Sequence, residues 1–419
     1  MESLIPEKTI PRMGYYMYKF CRFTVVSIIV GLTVGALTTV FGHLLSAVST
    51  LRTMHAWLLW LLPFGGLLIV FLYNITNTKK HRGTNLVIEA VRSEDRIPAK
   101  MAPLIFSSTI ITHLFGGSAG REGAALQLGG SVGHLIADIF KITESKKHIF
   151  VMCGMSAAFS ALFGTPLAAT VFALELANIG IMCYSALVPC TIAAIIAYSI
   201  AQYSGLPAER FHIQEIPFTV TGTIGVIVLS ILCAGLSILL CASLKRTSSL
   251  SQRFIPNPYL RIFTGGLLVI AMTYIFQTRD YLGSGINIIE NALMGETAPE
   301  AFILKLLFTA ATLGFGFKGG EIIPTLFVGA TFGSAMSGLL GLDPHAAAAI
   351  GMIAMFCGVT NCPLTSLLLA CEVFGFISPQ MFLLGLSVSY MLSGYYSLYS
   401  SQKIVHSKTH PVVINRTAH

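Results

Sequence analysis

The sequence predicts an all-α polytopic membrane protein with a duplicated hydrophobic unit whose broken helices meet within the membrane. Three observations predict this class: a charge-poor composition, apolar runs of membrane-spanning length, and segments that recur in both halves. Hydrophobic residues form 54% of the 419 residues, charged residues only 11%, and the mean hydropathy is +0.76. Because a soluble domain carries about 25% charged residues, this composition excludes one.

The predicted membrane-spanning segments are stretches of the sequence without charged residues. A bilayer is crossed by about 20 apolar residues, and four runs approach or exceed that length: 23–51, 218–244, 262–278 and 381–401. Two other runs, 124–136 and 362–371, are too short to cross alone. Short apolar segments favour broken helices that meet inside the membrane, where protein shields the free backbone groups.

The net charge of +8 lies mainly in short flanks of these runs. The flanking cations are Lys8, Arg12, Lys19, Arg22, Lys79, Lys80, Arg82, Lys146, Lys147, Lys245, Arg246, Lys403 and Lys408. Short basic flanks are typical of the cytoplasmic side, so we expect the N-terminus inside a multi-pass cell-membrane protein. No long basic face interleaves with aromatics, and nucleic-acid binding is therefore not expected.

Three segments of the first half recur in the second half in the same order. Residues 83–88 resemble 285–290, residues 120–126 resemble 320–326, and residues 154–159 resemble 351–356. The paired first residues are 202, 200 and 197 positions apart. Such duplication is a frequent ground plan of secondary transporters, with the binding site where interrupted segments of both halves converge.

The duplication divides the chain into five parts. We predict a cytoplasmic N-terminal segment at 1–22, a first transmembrane repeat at 23–203 and a connector at 204–217. A second transmembrane repeat follows at 218–401, and a short polar C-terminal tail at 402–419.

The segment 116–126 places an ionisable pair, Arg121 and Glu122, among glycines and apolar residues. Charges at membrane depth are costly and mark functional sites by default. Gly120 and Gly123 would let backbone amides approach a small ligand, and a helix starting here would aim N–H groups at an anion. A tight cytoplasmic loop with an exposed ion pair is the alternative.

These residues carry a resemblance to a known family. Residues 116–123, Gly-Gly-Ser-Ala-Gly-Arg-Glu-Gly, resemble the GREG motif of the CLC anion channels and anion/proton antiporters. Residues 319–324, Gly-Gly-Glu-Ile-Ile-Pro, are similar to that family's second motif, and Tyr399 resembles its C-terminal tyrosine. The resemblance covers about 24–401. It implies inverted-topology repeats with broken helices meeting at the bilayer midplane, a homodimer, one anion pathway per subunit and no cofactor.

The resemblance also implies roles for single residues. Glu122 matches the gating glutamate that competes with the anion and carries the proton, and Tyr399 matches the tyrosine that donates to the central anion. Arg121 would anchor backbone carbonyls. Amides of the second motif would bind the anion, so the implied anion-binding set is Thr84, Gly120, Arg121, Gly123, Gly320, Ile322, Ile323 and Tyr399.

Two of these assignments, and the role of Glu321 described next, have structural alternatives. Glu122 could instead be a structural partner of Arg121, although adjacent residues on a helix do not face each other. Tyr399 could be an interfacial tyrosine, with its neighbours Tyr395 and Tyr396 serving in its place. Glu321 could merely satisfy amides at a helix start.

The chain departs from chloride-type members in three places. Their first motif has a serine on the anion, whereas here Thr84 or Arg82 takes that position. Glu321 stands at an apolar position, and Leu176 replaces an internal proton-transfer glutamate. These departures resemble the fluoride-exporting subgroup, in which Glu321 would be a second proton carrier. Thr84 and Ile323, however, are not that subgroup's usual residues.

An intramembrane serine protease is the competing enzyme hypothesis, because Gly154-Met155-Ser156-Ala157 superficially resembles a nucleophile motif. The repeat has Ile353 in place of Ser156, which favours helix packing by small residues instead. We therefore predict a non-enzymatic CLC-type transporter of halide-sized anions and protons. Fluoride/proton antiport is the first hypothesis, and a chloride channel or chloride/proton antiporter is the alternative.

Overall fold

The computed structural model of the chain describes residues 9–78, 83–92, 96–410 and 412–418, with side chains described from Gly14 onward except that of Tyr15. Arg82, the alternative candidate for the serine position, lies outside these residues, as do Lys8, Lys79 and Lys80. Sixteen α-helices and three short strands form the described part of the chain.

The first half of the chain contributes eight helices and a two-residue strand. The helices are α1 (Thr9–Met54), α2 (Leu62–Ile75), α3 (Thr84–Arg92), α4 (Met101–Leu114), α5 (Glu122–Ile139), α6 (Glu144–Phe163), α7 (Pro166–Glu175) and α8 (Leu187–Tyr203), and strand β1 is Asn178–Ile179. Short 3-10 helices precede α2 and α8, at Ala56–Leu61 and Tyr184–Ala186.

The second half repeats this order of long and short helices. Its helices are α9 (Val220–Phe254), α10 (Pro258–Ile275), α11 (Ile286–Leu293), α12 (Ala301–Gly314), α13 (Ile322–Leu340), α14 (Pro344–Thr360), α15 (Pro363–Phe374) and α16 (Pro379–Leu392). The chain ends with strands β2 (Lys403–His406) and β3 (Val413–Thr417).

Helix lengths agree with the predicted mixture of complete and broken spans. Six segments of the described chain are long and apolar enough to cross a membrane, and six further apolar helices have only 10–17 residues. The 46 residues of α1 extend about 69 Å at 1.5 Å per residue, well beyond the hydrocarbon thickness of about 30 Å. This helix therefore tilts or projects from the membrane.

Glycines bring equivalent helix pairs together in the two halves. Helix α5 packs on α6, and α13 packs on α14. A Cβ atom at Gly129 would lie 2.1 Å from the carbonyl oxygen of Gly154, and one at Gly329 would lie 2.4 Å from that of Gly351. Since no side chain fits at these crossings, Gly154 and Gly351 of the third repeated segment serve the same close backbone contact in both halves.

Two glutamates at equivalent positions join the halves reciprocally. Glu175, at the end of α7, accepts hydrogen bonds from the N–H groups of Leu364 and Thr365 at the start of α15, at 3.3 and 3.0 Å. Glu372 on α15 accepts from Leu167 and Ala168 at the start of α7, at 3.0 and 2.8 Å. Each carboxylate satisfies the free N–H groups and positive end of the other half's helix.

The C-terminal residues are more ordered than a polar tail suggests. Strand β2 pairs in parallel with β1 and antiparallel with β3, which gives a three-stranded sheet in an otherwise helical protein. The Lys408 ammonium donates to the carbonyl oxygen of Tyr390 at 2.8 Å and to Ser393 Oγ at 3.0 Å, and it also contacts Asn361 Oδ1. Lys408 thus holds the last residues against the ends of α14 and α16.

We predict that Gly154→Ala destabilises the protein, because the new Cβ would lie 1.9 Å from the carbonyl oxygen of Gly129. Backbone cannot rotate away as a side chain can, so the cost should reach or exceed the about 1–3 kcal/mol typical of overpacking. Unfolding of purified protein in detergent measures it. Gly235→Ala is the matched control, since a Cβ there meets nothing within 4 Å; similar destabilisation of both variants would contradict the helix-crossing explanation.

Candidate functional site

The candidate site forms where the two glycine-rich segments meet. The N–H of Gly120 donates to the carbonyl oxygen of Gly320 at 2.7 Å, and the N–H of Gly320 donates back to Gly120 at 2.7 Å. A Cβ at Gly320 would lie 2.7 Å from the nitrogen of Gly123 and 2.8 Å from that of Glu122. The glycines therefore permit a contact that places the N-termini of α5 and α13 side by side.

The Glu122 carboxylate lies between these two helix N-termini. Its Oε2 accepts hydrogen bonds from the N–H of Arg121 at 3.0 Å and from the N–H of Ile323 at 3.3 Å. Glu122 is 1% exposed. A negatively charged group is thus held by backbone donors from both halves, and one of those donors, Ile323, belongs to the predicted anion-binding set.

Arg121 pairs with carboxylates, and its guanidinium makes no hydrogen bond to a backbone carbonyl within the described residues, unlike the anchoring that the sequence suggested. Its Nη2 lies 2.5 Å from Glu209 Oε1, and its Nε lies 3.6 Å from Glu122 Oε1. The alternative pairing with Glu122 is therefore present, but with a longer contact than the one to Glu209. Both partners of the Glu209 pair are almost completely buried, and a buried guanidinium requires a compensating charge.

Glu209 was not identified as a site residue from the sequence, although it lies in the predicted connector. It is 88 positions from Arg121, so no helical spacing links the two. The one available signal was its acidic side chain in the short polar segment between two apolar halves.

Thr84 and Glu321 lie on either side of Gly123. A Cβ at Gly123 would be 3.0 Å from Glu321 Oε2 and 3.3 Å from Thr84 Oγ1. Thr84 begins α3, and its hydroxyl accepts a hydrogen bond from Gln127 Nε2 at 3.1 Å. Gln127 also donates to the carbonyl oxygen of Gly123 at 3.1 Å, and it is a further site residue that the sequence motifs did not indicate.

Glu321 precedes α13 and is only partly engaged with its surroundings. Its Oε2 is buried and has no hydrogen-bond partner within the described ranges. A cavity of about 430 Å³ reaches Glu321 and is also lined by Asn85, Lys245, Ser248, Ser397 and Ser400. Lys245 lies in a flank predicted to be cytoplasmic, so we expect this cavity to open toward that side.

Tyr399 is fully buried, and its hydroxyl finds no hydrogen-bond partner among the residues that the structure describes. The two alternative tyrosines lie in different surroundings: Tyr395 shares a hydrogen bond with Ser407 at 3.0 Å, and Tyr396 is partly exposed. Gln402 accompanies Tyr399, donating to the carbonyl oxygens of Leu176 at 2.9 Å and Thr360 at 2.7 Å. The Tyr399 hydroxyl is thus available to donate a hydrogen bond to a ligand.

The competing protease hypothesis finds no catalytic geometry at Ser156. Its hydroxyl donates to the carbonyl oxygen of Cys190 at 3.3 Å, and the side chain is completely buried in the contact between α6 and α8. This is the packing role that Ile353 in the second repeat already indicated.

Comparison with known proteins assigns the chain to one family. The family model described as "Voltage gated chloride channel" matches residues 65–394. A "Chloride/fluoride channel protein" of Pseudomonas syringae pv. tomato is 33% identical over 390 residues, which are 91% of this chain and 86% of that protein. An "H(+)/Cl(-) exchange transporter ClcA" of Vibrio cholerae is 26% identical over 83% of this chain and 81% of its own length.

A solved structure shares the fold of this chain. The crystal structure of a CLC-type fluoride/proton antiporter superposes with a TM-score of 0.89 and 31% identity, covering 92% of this chain and 99% of the other. The likeness extends over both halves and confirms the predicted helical fold with inverted-topology repeats.

We predict that Glu209→Ala destabilises the protein by about 3–5 kcal/mol, because it leaves the buried Arg121 guanidinium without its nearest carboxylate. Denaturant unfolding in detergent measures the change. Glu215→Ala, an exposed glutamate of the same connector, serves as the control and should be nearly neutral. Equal stability of the two variants would show that the Arg121–Glu209 pair is dispensable.

Proposed function

Because the chain belongs to the voltage-gated chloride channel (CLC) family of anion transporters, we propose that it exchanges fluoride for protons across the cell membrane and so exports fluoride. Members of this family are channels and transporters, and the chain is not an enzyme, as the sequence predicted. We further propose that it works as a homodimer with its N-terminus inside.

The proposal rests on one observation, the hydrogen bond that the N–H of Ile323 donates to the Glu122 carboxylate at 3.3 Å. Backbone amides at a helix N-terminus bind anions without a fixed cation. A carboxylate in such a place competes with a transported anion for the same donors. Deprotonated Glu122 closes the pathway, and protonation weakens its hold on the amides and admits the anion.

Protonation of Glu122 has a clear physical driving force. Burial disfavours the charged carboxylate, and an anion arriving nearby disfavours it further, since like charges repel strongly where water is scarce. Anion entry and proton uptake therefore promote each other. Release of the proton on the other side returns the carboxylate to the Ile323 amide, which couples the two movements.

Glu321 is proposed as the second proton carrier. Its unpartnered Oε2 faces the neighbourhood of Gly123, and the cavity of about 430 Å³ links it to the side that carries Lys245. A group at this position takes a proton from the cavity without crossing the Gly120–Gly320 contact. A carboxylate whose only task was to satisfy local amides would not leave a buried oxygen without a donor.

Fluoride is supported by the available donors and by the relatives. Fluoride is small and strongly hydrated, so its site must supply close hydrogen-bond donors in place of water. The Tyr399 hydroxyl, which has no partner among the described residues, and the N–H of Ile323 are such donors. The Thr84 hydroxyl, in contrast, would have to leave its 3.4 Å hydrogen bond to the carbonyl oxygen of Gly123. Identity is 31% to the fluoride/proton antiporter and 33% to the protein named for both chloride and fluoride, compared with 26% to the named chloride exchanger.

Chloride is the second candidate. Thr84 is a hydroxyl residue like the serine of chloride-type members, and Ile323 offers only its amide. The two candidates are separated by measuring efflux from vesicles loaded in turn with fluoride, chloride, bromide and nitrate, with simultaneous pH recording. Fluoride efflux at least tenfold faster than chloride efflux, accompanied by opposite proton movement, is the result expected for fluoride/proton exchange.

We predict that Glu122→Gln uncouples proton movement from anion flux, because glutamine keeps the shape of the side chain but carries no proton across. In the vesicle assay, proton movement driven by an anion gradient should fall at least tenfold. Glu215→Gln, at an exposed position of the connector, is the control. An unchanged ratio of protons to anions in Glu122→Gln would remove Glu122 from the gate.

We predict that Glu321→Ala lowers fluoride transport by at least tenfold while leaving the fold intact, since its Oε2 makes no hydrogen bond within the described residues. Efflux rate and thermal unfolding are measured together. Glu296→Ala, an exposed carboxylate of the same half, is the matched control. Full transport by Glu321→Ala would reduce Glu321 to a scaffold residue.

A further inference from the structure

A second cavity, of about 840 Å³, lies between α2, α9 and α10 and adjoins the cavity of about 430 Å³ at Glu321, with which it shares Ser248, Gln252, Leu313 and Gly314. It is lined at one end by Asn257 and Pro258, at the exposed start of α10, and extends to Gly316 and Lys318 in the loop before α13. Lys318, at this far end, is three positions before Glu321 in the sequence.

The two repeats differ in this place. In the first half, a Cβ at Gly116 would meet Leu59 at 3.1 Å and both Arg52 and Leu282 at 3.6 Å, so the space beside this glycine is filled. At the equivalent Gly316, a Cβ would meet nothing within 4 Å. The space beside Gly316 is therefore open, whereas side chains fill the equivalent space beside Gly116.

The lining of this cavity is cationic. Lys318 and Arg261 line it, and its described lining residues include no carboxylate. The Lys318 ammonium lies 5.0 Å from the centre of the Tyr73 ring, and Arg261 Nη1 donates to the carbonyl oxygen of Ile255 at 3.4 Å. Neither cation forms an ion pair within the described ranges, and the N-terminus of α10 adds a further positive end.

The size and the apolar wall of the cavity identify the class of ligand. A halide ion fills only a small part of such a volume, whereas 300–1,000 Å³ is the usual range of small-molecule sites. Ile69, Val70 and Ile262 form the apolar side of its lining. Basic pockets between transmembrane helices on the cytoplasmic side are the kind of site that binds anionic lipid headgroups.

We propose that this cavity binds a phosphate group, supplied by an anionic phospholipid of the cytoplasmic leaflet, through Lys318 and Arg261. The apolar side accommodates the beginning of the acyl chains. The end of α9, which carries Lys245, Arg246 and Arg253, is the predicted cytoplasmic side. Because Lys318 is joined to Glu321 through Gly319 and Gly320, an occupied cavity fixes the loop that supports the candidate transport site.

The test is native mass spectrometry of the purified full chain titrated with phosphatidylglycerol or phosphatidylcholine. We expect phosphatidylglycerol to bind the wild type more tightly than phosphatidylcholine. The double variant Lys318→Gln with Arg261→Gln should bind it about 25-fold more weakly, at about fivefold per cation. Arg253→Gln removes an exposed cation of α9 that does not line the cavity and should bind as the wild type does.

The wild type alone also decides the question if the double variant does not fold. Equal affinity for the two lipids, or equal phosphatidylglycerol affinity in a folded double variant and the wild type, overturns the proposal. Inorganic phosphate is added as a competitor in a third titration. Displacement of the lipid by millimolar phosphate overturns the lipid as the source, while retention of the lipid supports it.

Discussion

The pair of backbone hydrogen bonds between Gly120 and Gly320 is the constraint on which the rest of the site depends. It brings the positive ends of α5 and α13 together at a buried place, where each carries about half an elementary charge. Two such ends repel each other unless something negative lies between them. Glu122 supplies that charge, and an incoming anion is the other group that can. The proposed exchange of a carboxylate for an anion thus follows from how the helices meet.

Other buried charges show how the scaffold treats groups that only hold the fold. Glu175 and Glu372 each accept hydrogen bonds from a helix start in the opposite half, and Arg121 is paired with Glu209. Glu321 Oε2 and the Tyr399 hydroxyl, like Arg121 Nε and several threonine and serine hydroxyls elsewhere, lie buried without a hydrogen-bond partner among the described residues. Unpaired buried polar groups cost free energy. Their persistence beside the two glycine segments is physically reasonable if a transient ligand satisfies them.

Much of this could be predicted from the sequence because it depends on local or duplicated patterns. Glycine spacing, charge-free runs and the recurrence of Gly154 at Gly351 indicated the helical class and the repeats, and a charged pair within apolar sequence indicated Glu122. The Glu209 partner of Arg121, the Gln127 bond to Thr84 and the sheet formed by the C-terminal strands depend on contacts between distant positions. No periodicity connects such residues, and the chain must be folded before their proximity is apparent.

The two halves share a backbone fold but differ in the charged residues at equivalent positions. This difference makes the duplicated scaffold asymmetric. At equivalent positions, 200 residues apart, Arg121 corresponds to Glu321 and Glu122 to Ile322. A perfectly symmetric pair would offer the same group to both sides and bind a proton equally from either. Here the Glu122 carboxylate lies at the meeting point of the helices, while Glu321 is adjacent to the cavity of about 430 Å³. The two acids therefore meet different surroundings, and this is the asymmetry that the proposed coupling between proton and anion requires.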